Sequence, residues 1–200
     1  YVFKDDSSIG WDLHETLLPN IVGDRDQFGA SVSINSAGTI IAVGAPQEDS
    51  NSTSINTGAE DGSASNSGAA YIFKLDGVTS NWNQSSFVKA SNSHRNDQFG
   101  YSVDLNGPGN KLLVGAPSEA NSNFGENPVD DNDDETGMSG AVYAFSELDG
   151  LLVQETYQKG LDSNSSDQFG GSVAFNNAGT DYAVSSENED SSAIGIDGDA

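Results

Sequence analysis

Between Ser31 and Ile34 the apolar Val32 and Ile34 alternate with Ser31 and Ser33. That period of two predicts a strand with one buried face. Thr39–Ala45 (TIIAVGA) is apolar nearly throughout and predicts a second, more deeply buried strand. The link between them, Asn35–Gly38, has hairpin chemistry, because Asn and Gly tolerate positive φ. Gly68–Leu75 (GAAYIFKL) predicts a third strand, and Ser85–Ser91 (SSFVKAS), preceded by Trp82, a fourth. No segment sustains a helical period.

The same pattern returns along the chain. Asp-Gln-Phe-Gly occurs at Asp26, Asp97 and Asp167, spaced by 71 and 70 residues. ASVSIN, YSVDLN and GSVAFN follow it, and then TIIAVGAP, NKLLVGAP and TDYAVSSE. YVFK, YIFK and YAFS share one slot, and Trp11, Trp82 and Leu152 each stand 15 residues before the next motif Asp. Self-similarity at a fixed period marks a repeat architecture. Four antiparallel strands in about 70 residues is the size of one propeller blade with a long loop. The expected fold is all-β: a β-propeller segment of four-stranded antiparallel blades, forming an incomplete ring. The long loops, Gln47–Ser67 and Ser118–Ser139, are rich in Ser, Asn, Asp and Gly. Loops of that length in a compact domain are functional or disordered.

Charge narrows the function classes. Thirty-one acidic residues against seven basic give a net charge of −24. Such a surface repels nucleic-acid backbones and anionic lipid heads, and suits divalent cations or high salt. There is no Cys, hence no disulfide framework and no thiolate metal site. No apolar run approaches the roughly 20 residues that span a bilayer, so no membrane insertion is expected in this segment. The chain opens on Tyr1, and both ends read as cut from a longer chain. A cut within a repeat leaves an unpaired strand edge at each end, which favours self-association.

Phe28-Gly29, fourteen residues, then Gly44-Ala45-Pro46 resembles an FG-GAP repeat, and Phe99-Gly100 to Gly115-Ala116-Pro117 repeats that spacing. The resemblance is to the β-propeller of integrin α-chains, and closest to the integrin-like repeats of large microbial extracellular proteins. It implies these units: residues 1–25 as the last strands of a preceding blade, 26–96 and 97–166 as two FG-GAP blades, and 167–200 as the start of a truncated one. It also implies a ring of about seven blades, which this chain cannot close alone, and an extracellular or cell-surface location. Two departures stand out. Ser185-Ser186-Glu187 replaces Gly-Ala-Pro in the third repeat. The hairpins that carry calcium in many integrin repeats read NSAG, NGPG and NNAG here, without carboxylates.

Calcium is therefore expected, if anywhere, in the long acidic loops. Asp130, Asp131, Asp133 and Asp134 form the densest set, followed by Glu135. Glu48, Asp49, Glu60 and Asp61 form a second set, and Glu187, Glu189, Asp190, Asp197 and Asp199 a third. Calcium needs six to eight oxygens, several from carboxylates. The alternative for each loop is a solvated, solubilising segment. Catalysis finds no support. Asp26, Asp97 and Asp167 recur once per repeat, whereas catalytic groups are unique and convergent, so these Asp are expected to bond backbone amides at a turn. His14 and His94 are isolated, and no nucleophile elbow, dinucleotide fingerprint or P-loop is present. Trp11 and Trp82, at equivalent positions, are expected to pack between blades. The resulting expectation is a non-enzymatic propeller segment for cell-surface adhesion or binding of a protein or glycan ligand. An accessory propeller domain of a secreted hydrolase and a purely structural spacer remain alternatives.

Overall fold

The computed structural model describes residues 1–21, 23–56, 62–121, 123, 125–127, 137–161 and 164–188. Every regular element among them is a strand, and every strand pair within a sheet is antiparallel. A ribbon of β1 (Val2–Asp6) and β2 (Gly10–Glu15) comes first. The first four-stranded sheet runs β3 (Ser31–Ile34), β4 (Ile40–Ala45), β5 (Ala69–Leu75) and β6 (Trp82–Val88), in chain order. The second is β7 (Ser102–Leu105), β8 (Lys111–Ala116), β9 (Ala141–Leu148) and β10 (Leu151–Gln158), again a meander. The hairpin of β11 (Phe169–Phe175) and β12 (Tyr182–Ser186) follows.

The two complete sheets stack face to face as consecutive blades. Ala42, Ile72 and Val88 of the first meet Phe99, Val103, Leu105, Val114 and Tyr143 of the second in one buried cluster. Burying each large side chain there contributes roughly 1.5–3 kcal/mol. The motif aromatics close each blade from its own side. Phe99 meets Tyr143 edge-on at 5.2 Å, and Phe28 meets Tyr71 the same way at 5.3 Å.

The repeated motif is a backbone device. In Asp-Gln-Phe-Gly the Gln is left-handed each time, with φ of 57° at Gln27, 59° at Gln98 and 56° at Gln168. The following Gly is left-handed too, at 95°, 90° and 97°. That kink brings the Phe-Gly backbone of one blade onto the third strand of the previous one. Phe99 N–H donates to Ser67 O at 3.1 Å, and Phe169 N–H to Ser139 O at 3.0 Å. A Cβ on Gly68 or Gly140 would overlap the Phe99 or Phe169 backbone, so only glycine permits the approach.

At the opposite end of the blades, the hairpin turns bond to one another. Ser36 N–H donates to Gly107 O at 3.0 Å, and Gly107 N–H to Asn177 O at 2.9 Å. Within each turn an Asn carboxamide oxygen accepts backbone N–H groups: Asn35 from Thr39 and Ile40, Asn106 from Gly109 and Lys111, Asn176 from Thr180. Asp104 joins three repeats, accepting from Ser33 Oγ at 2.8 Å and from Phe175 N–H at 2.7 Å.

Candidate functional site

The long acidic loops leave each blade between its second and third strands, and at their bases lie buried polar nodes. In the first blade Lys89, just after β6, lies buried beneath the loop. Its ammonium donates to Glu48 Oε2 at 2.7 Å, Ser67 Oγ at 2.8 Å and Ser50 O at 2.9 Å. Glu48 and Ser50 begin the loop and Ser67 ends it, so one lysine gathers both ends. The second blade repeats the arrangement with Lys159, Glu119 and Ser139. There Glu119 Oε1 also accepts from Tyr157 OH at 2.7 Å.

Burial lowers both lysines from their ordinary value, and the facing glutamates oppose the shift. Burial raises the Tyr143 phenol well above its ordinary value, and the Glu119 charge adds to the shift. Tyr143 OH is held by Asn92 Oδ1 at 2.9 Å. These are satisfied structural groups. None faces an open cleft in which a substrate would meet it.

The motif Asp residues behave as turn locks. The Oδ2 atoms of Asp26, Asp97 and Asp167 accept the N–H three residues earlier, from Gly23, His94 and Asn164, at 2.9, 2.6 and 2.7 Å. Burial raises the Asp26 carboxyl, and the Gly23 N–H opposes it. The same three-residue reach in every repeat is the geometry of a built-in turn.

The predicted metal ligands divide by position. Asp130, Asp131, Asp133 and Asp134 lie outside the described residues, as do Glu60, Asp61, Glu189, Asp190, Asp197 and Asp199. Glu48 belongs to the buried ion pair, and Asp49 Oδ1 accepts the Asn66 N–H at 2.8 Å. Among the described residues no three His, Asp or Glu side chains converge as a metal site. Trp82 is buried in the cluster with Leu17 and Phe87, as its position predicts. Trp11 differs: it is 75 % exposed, because no described element covers that side of the β1–β2 ribbon.

The Glu–Lys–Ser node was missed in reading the sequence, although a signal existed. Glu48 and Glu119 each follow the proline of Gly-Ala-Pro by two residues, and Lys89 and Lys159 are 70 apart. Both spacings match the repeat, so the Glu and the Lys recur as fixed members of each blade. Chemically, the arrangement holds the loop ends on a stiff frame, with its Lys, Glu and Ser groups buried and bonded to one another.

Comparison with family models gives two matches to the model described as FG-GAP repeat, at residues 11–73 and 82–145. Together they span more than half of the chain. No curated protein matches the chain.

Proposed function

The chain belongs to the FG-GAP repeat family, and on that premise we propose that it is a non-enzymatic, extracellular propeller segment for cell-surface adhesion. Its acidic loops would receive a protein or glycan ligand, and calcium would stiffen the second of them. The observation that carries this reading is the buried node under each loop. Lys89 with Glu48 and Ser67, and Lys159 with Glu119 and Ser139, tie together both ends of a long polar segment. Fixed ends reduce the ordering cost that a loop incurs on binding. Within Asp130–Asp134, Asp131 and Asp133 have the spacing to reach one ion together, with Asp130 and Asp134 recruited when the loop curls.

Calorimetric titration with calcium tests the metal half of this reading. The wild-type chain should bind, at about millimolar affinity as in extracellular modules, and Asp131→Asn/Asp133→Asn should lose that binding. Unchanged binding in the double variant removes this loop as the site. Absence of binding in both proteins leaves a solvated loop. For the ligand half, the immobilised chain is screened against glycan arrays and extracellular-matrix proteins, beside a variant with residues 128–136 replaced by a Gly/Ser linker. Equal retention by both proteins would exclude the loop as the binding surface.

A further inference from the structure

The two buried nodes beneath the loops share an ion pair and differ in what surrounds it. Glu48 and Glu119 are counterparts in the repeat, as are Lys89 and Lys159. Five residues before the motif Asp, however, Ile21 precedes Asp26 whereas Asn92 precedes Asp97. Two residues before the lysine, Phe87 precedes Lys89 whereas Tyr157 precedes Lys159. The second node therefore has a carboxamide and a hydroxyl at positions that are purely apolar in the first. A group that recurs in every repeat serves the fold. Asn92 does not recur, so the repeat gives no account of it.

Asn92, Glu119, Tyr143 and Lys159 are all buried, and hydrogen bonds link them in one chain. Lys159 Nζ donates to Glu119 Oε2. Asn92 Nδ2 donates to the other carboxylate oxygen, Oε1, at 3.4 Å. Tyr143 OH donates to Asn92 Oδ1 at 2.9 Å. One carboxylate thus holds an amine and a carboxamide together, and a phenol polarises the carboxamide carbonyl. Those are the parts of an aminolysis: a nucleophile, a proton carrier and a donor for the oxyanion. Burial lowers the Lys159 amine from its ordinary value, which favours the neutral, nucleophilic form. It also keeps water, the competing nucleophile, away from the reacting carbon.

We propose that Lys159 and Asn92 join in a self-catalysed amide bond across the second blade, with Glu119 as the proton carrier. Glu119 takes a proton from the Lys159 ammonium. The freed Nζ lone pair attacks Asn92 Cγ, and Tyr143 OH donates to the oxyanion that develops on Oδ1. Glu119 then relays protons from Nζ to Nδ2, the Cγ–Nδ2 bond breaks, and ammonia departs with the surplus proton as ammonium. Glu119 ends ionised, as it began, and no outside reactant is consumed. The ion pair in the structure is the state before the bond forms. Asn92 stands before β7 and Lys159 follows β10, so the bond closes the whole blade into a covalent loop. Such a loop restricts the unfolded chain and stabilises the blade. Tension along the chain passes through the bond and bypasses β7–β10.

The intact mass of the purified 200-residue chain, measured under denaturing conditions, tests the proposal. The wild type should be lighter than its sequence by one ammonia. Trypsin should release a branched peptide in which Ala90–Arg95 is joined through Asn92 to Lys159. Cleavage after Lys159 should be lost, while cleavage after Lys89, in the node that lacks the carboxamide, is kept. Asn92→Ala, Lys159→Arg and Glu119→Gln should each show the full mass. A wild type of full mass overturns the proposal, whether or not the variants fold. So does an ammonia loss that fragmentation places at Asn106-Gly107 as a succinimide, or a dehydration that joins Lys159 to Glu119. Crosslinking in Glu119→Gln to the wild-type extent would overturn the role given to Glu119.

Discussion

Lys159 illustrates how single residues act here. Its ammonium is fully buried and donates to Glu119 and to Ser139 Oγ. Replacement by Met preserves the volume and strands Glu119, which keeps Tyr157 OH and Asn92 Nδ2 as donors. Breaking a buried pair from one side costs about 3–5 kcal/mol, because the remaining charge is uncompensated. Lys159→Met should therefore lose about that much in urea unfolding. Adding Glu119→Gln should recover part of it, since the amide oxygen still accepts from Tyr157 and carries no charge. A single-variant loss below about 1 kcal/mol would show that the pair does not anchor the blade. The signal for this node was present as repeat-spaced Glu and Lys. Its burial was not legible, because period alone does not say which side of a strand end the loop will fold over.

At the scale of elements, glycines separate two physical demands. Gly38, in the turn between β3 and β4, has φ of 66° and nothing near its missing Cβ. Gly68, at the start of β5, has φ of 82° and lies against the Phe99 backbone. Gly38→Ala should cost about 1–2 kcal/mol, the left-handed penalty alone. Gly68→Ala should cost that and about 1–3 kcal/mol more, because the seam between blades must open. Urea unfolding of the two variants checks the difference, and equal losses would mean that the seam yields without strain. The strands, their order within each blade and the hairpin turns were legible from alternation and from Asn and Gly placement. The left-handed Gln of each motif was not, since glutamine has no preference for that region; in all three repeats it sits in the same tight turn, its carbonyl accepting the N–H of Ala30, Tyr101 or Gly171 three residues on.

For the whole molecule, charge is the dominant long-range term. A net charge of −24 on 200 residues opposes compaction through self-repulsion. Raising NaCl from about 10 mM to about 500 mM shortens the screening length from roughly 30 Å to a few ångströms and weakens that repulsion. The unfolding midpoint should rise across this range in scanning calorimetry. A fall would mean that specific pairs such as Lys74–Glu147, 2.6 Å apart and partly exposed, outweigh the repulsion. The test is made without divalent ions, so that loop binding does not contribute.

The sequence alone determined the repeat, its register and the all-β blades, because side-chain alternation and turn chemistry are local properties that a strand cannot evade. It also marked the motif Asp as turn residues, since a group that recurs in every repeat serves the fold. Only the tertiary structure decided why Phe-Gly and Gly-Ala-Pro travel together. Gly44 belongs to one blade and Gly100 to the next, and their meeting depends on how two sheets stack. It likewise decided what covers Trp82, which lies in one buried cluster with Phe87 and with Leu17 from the segment before its blade. Burial is set by the neighbouring sheet, and a residue's own segment does not encode whether that neighbour is there.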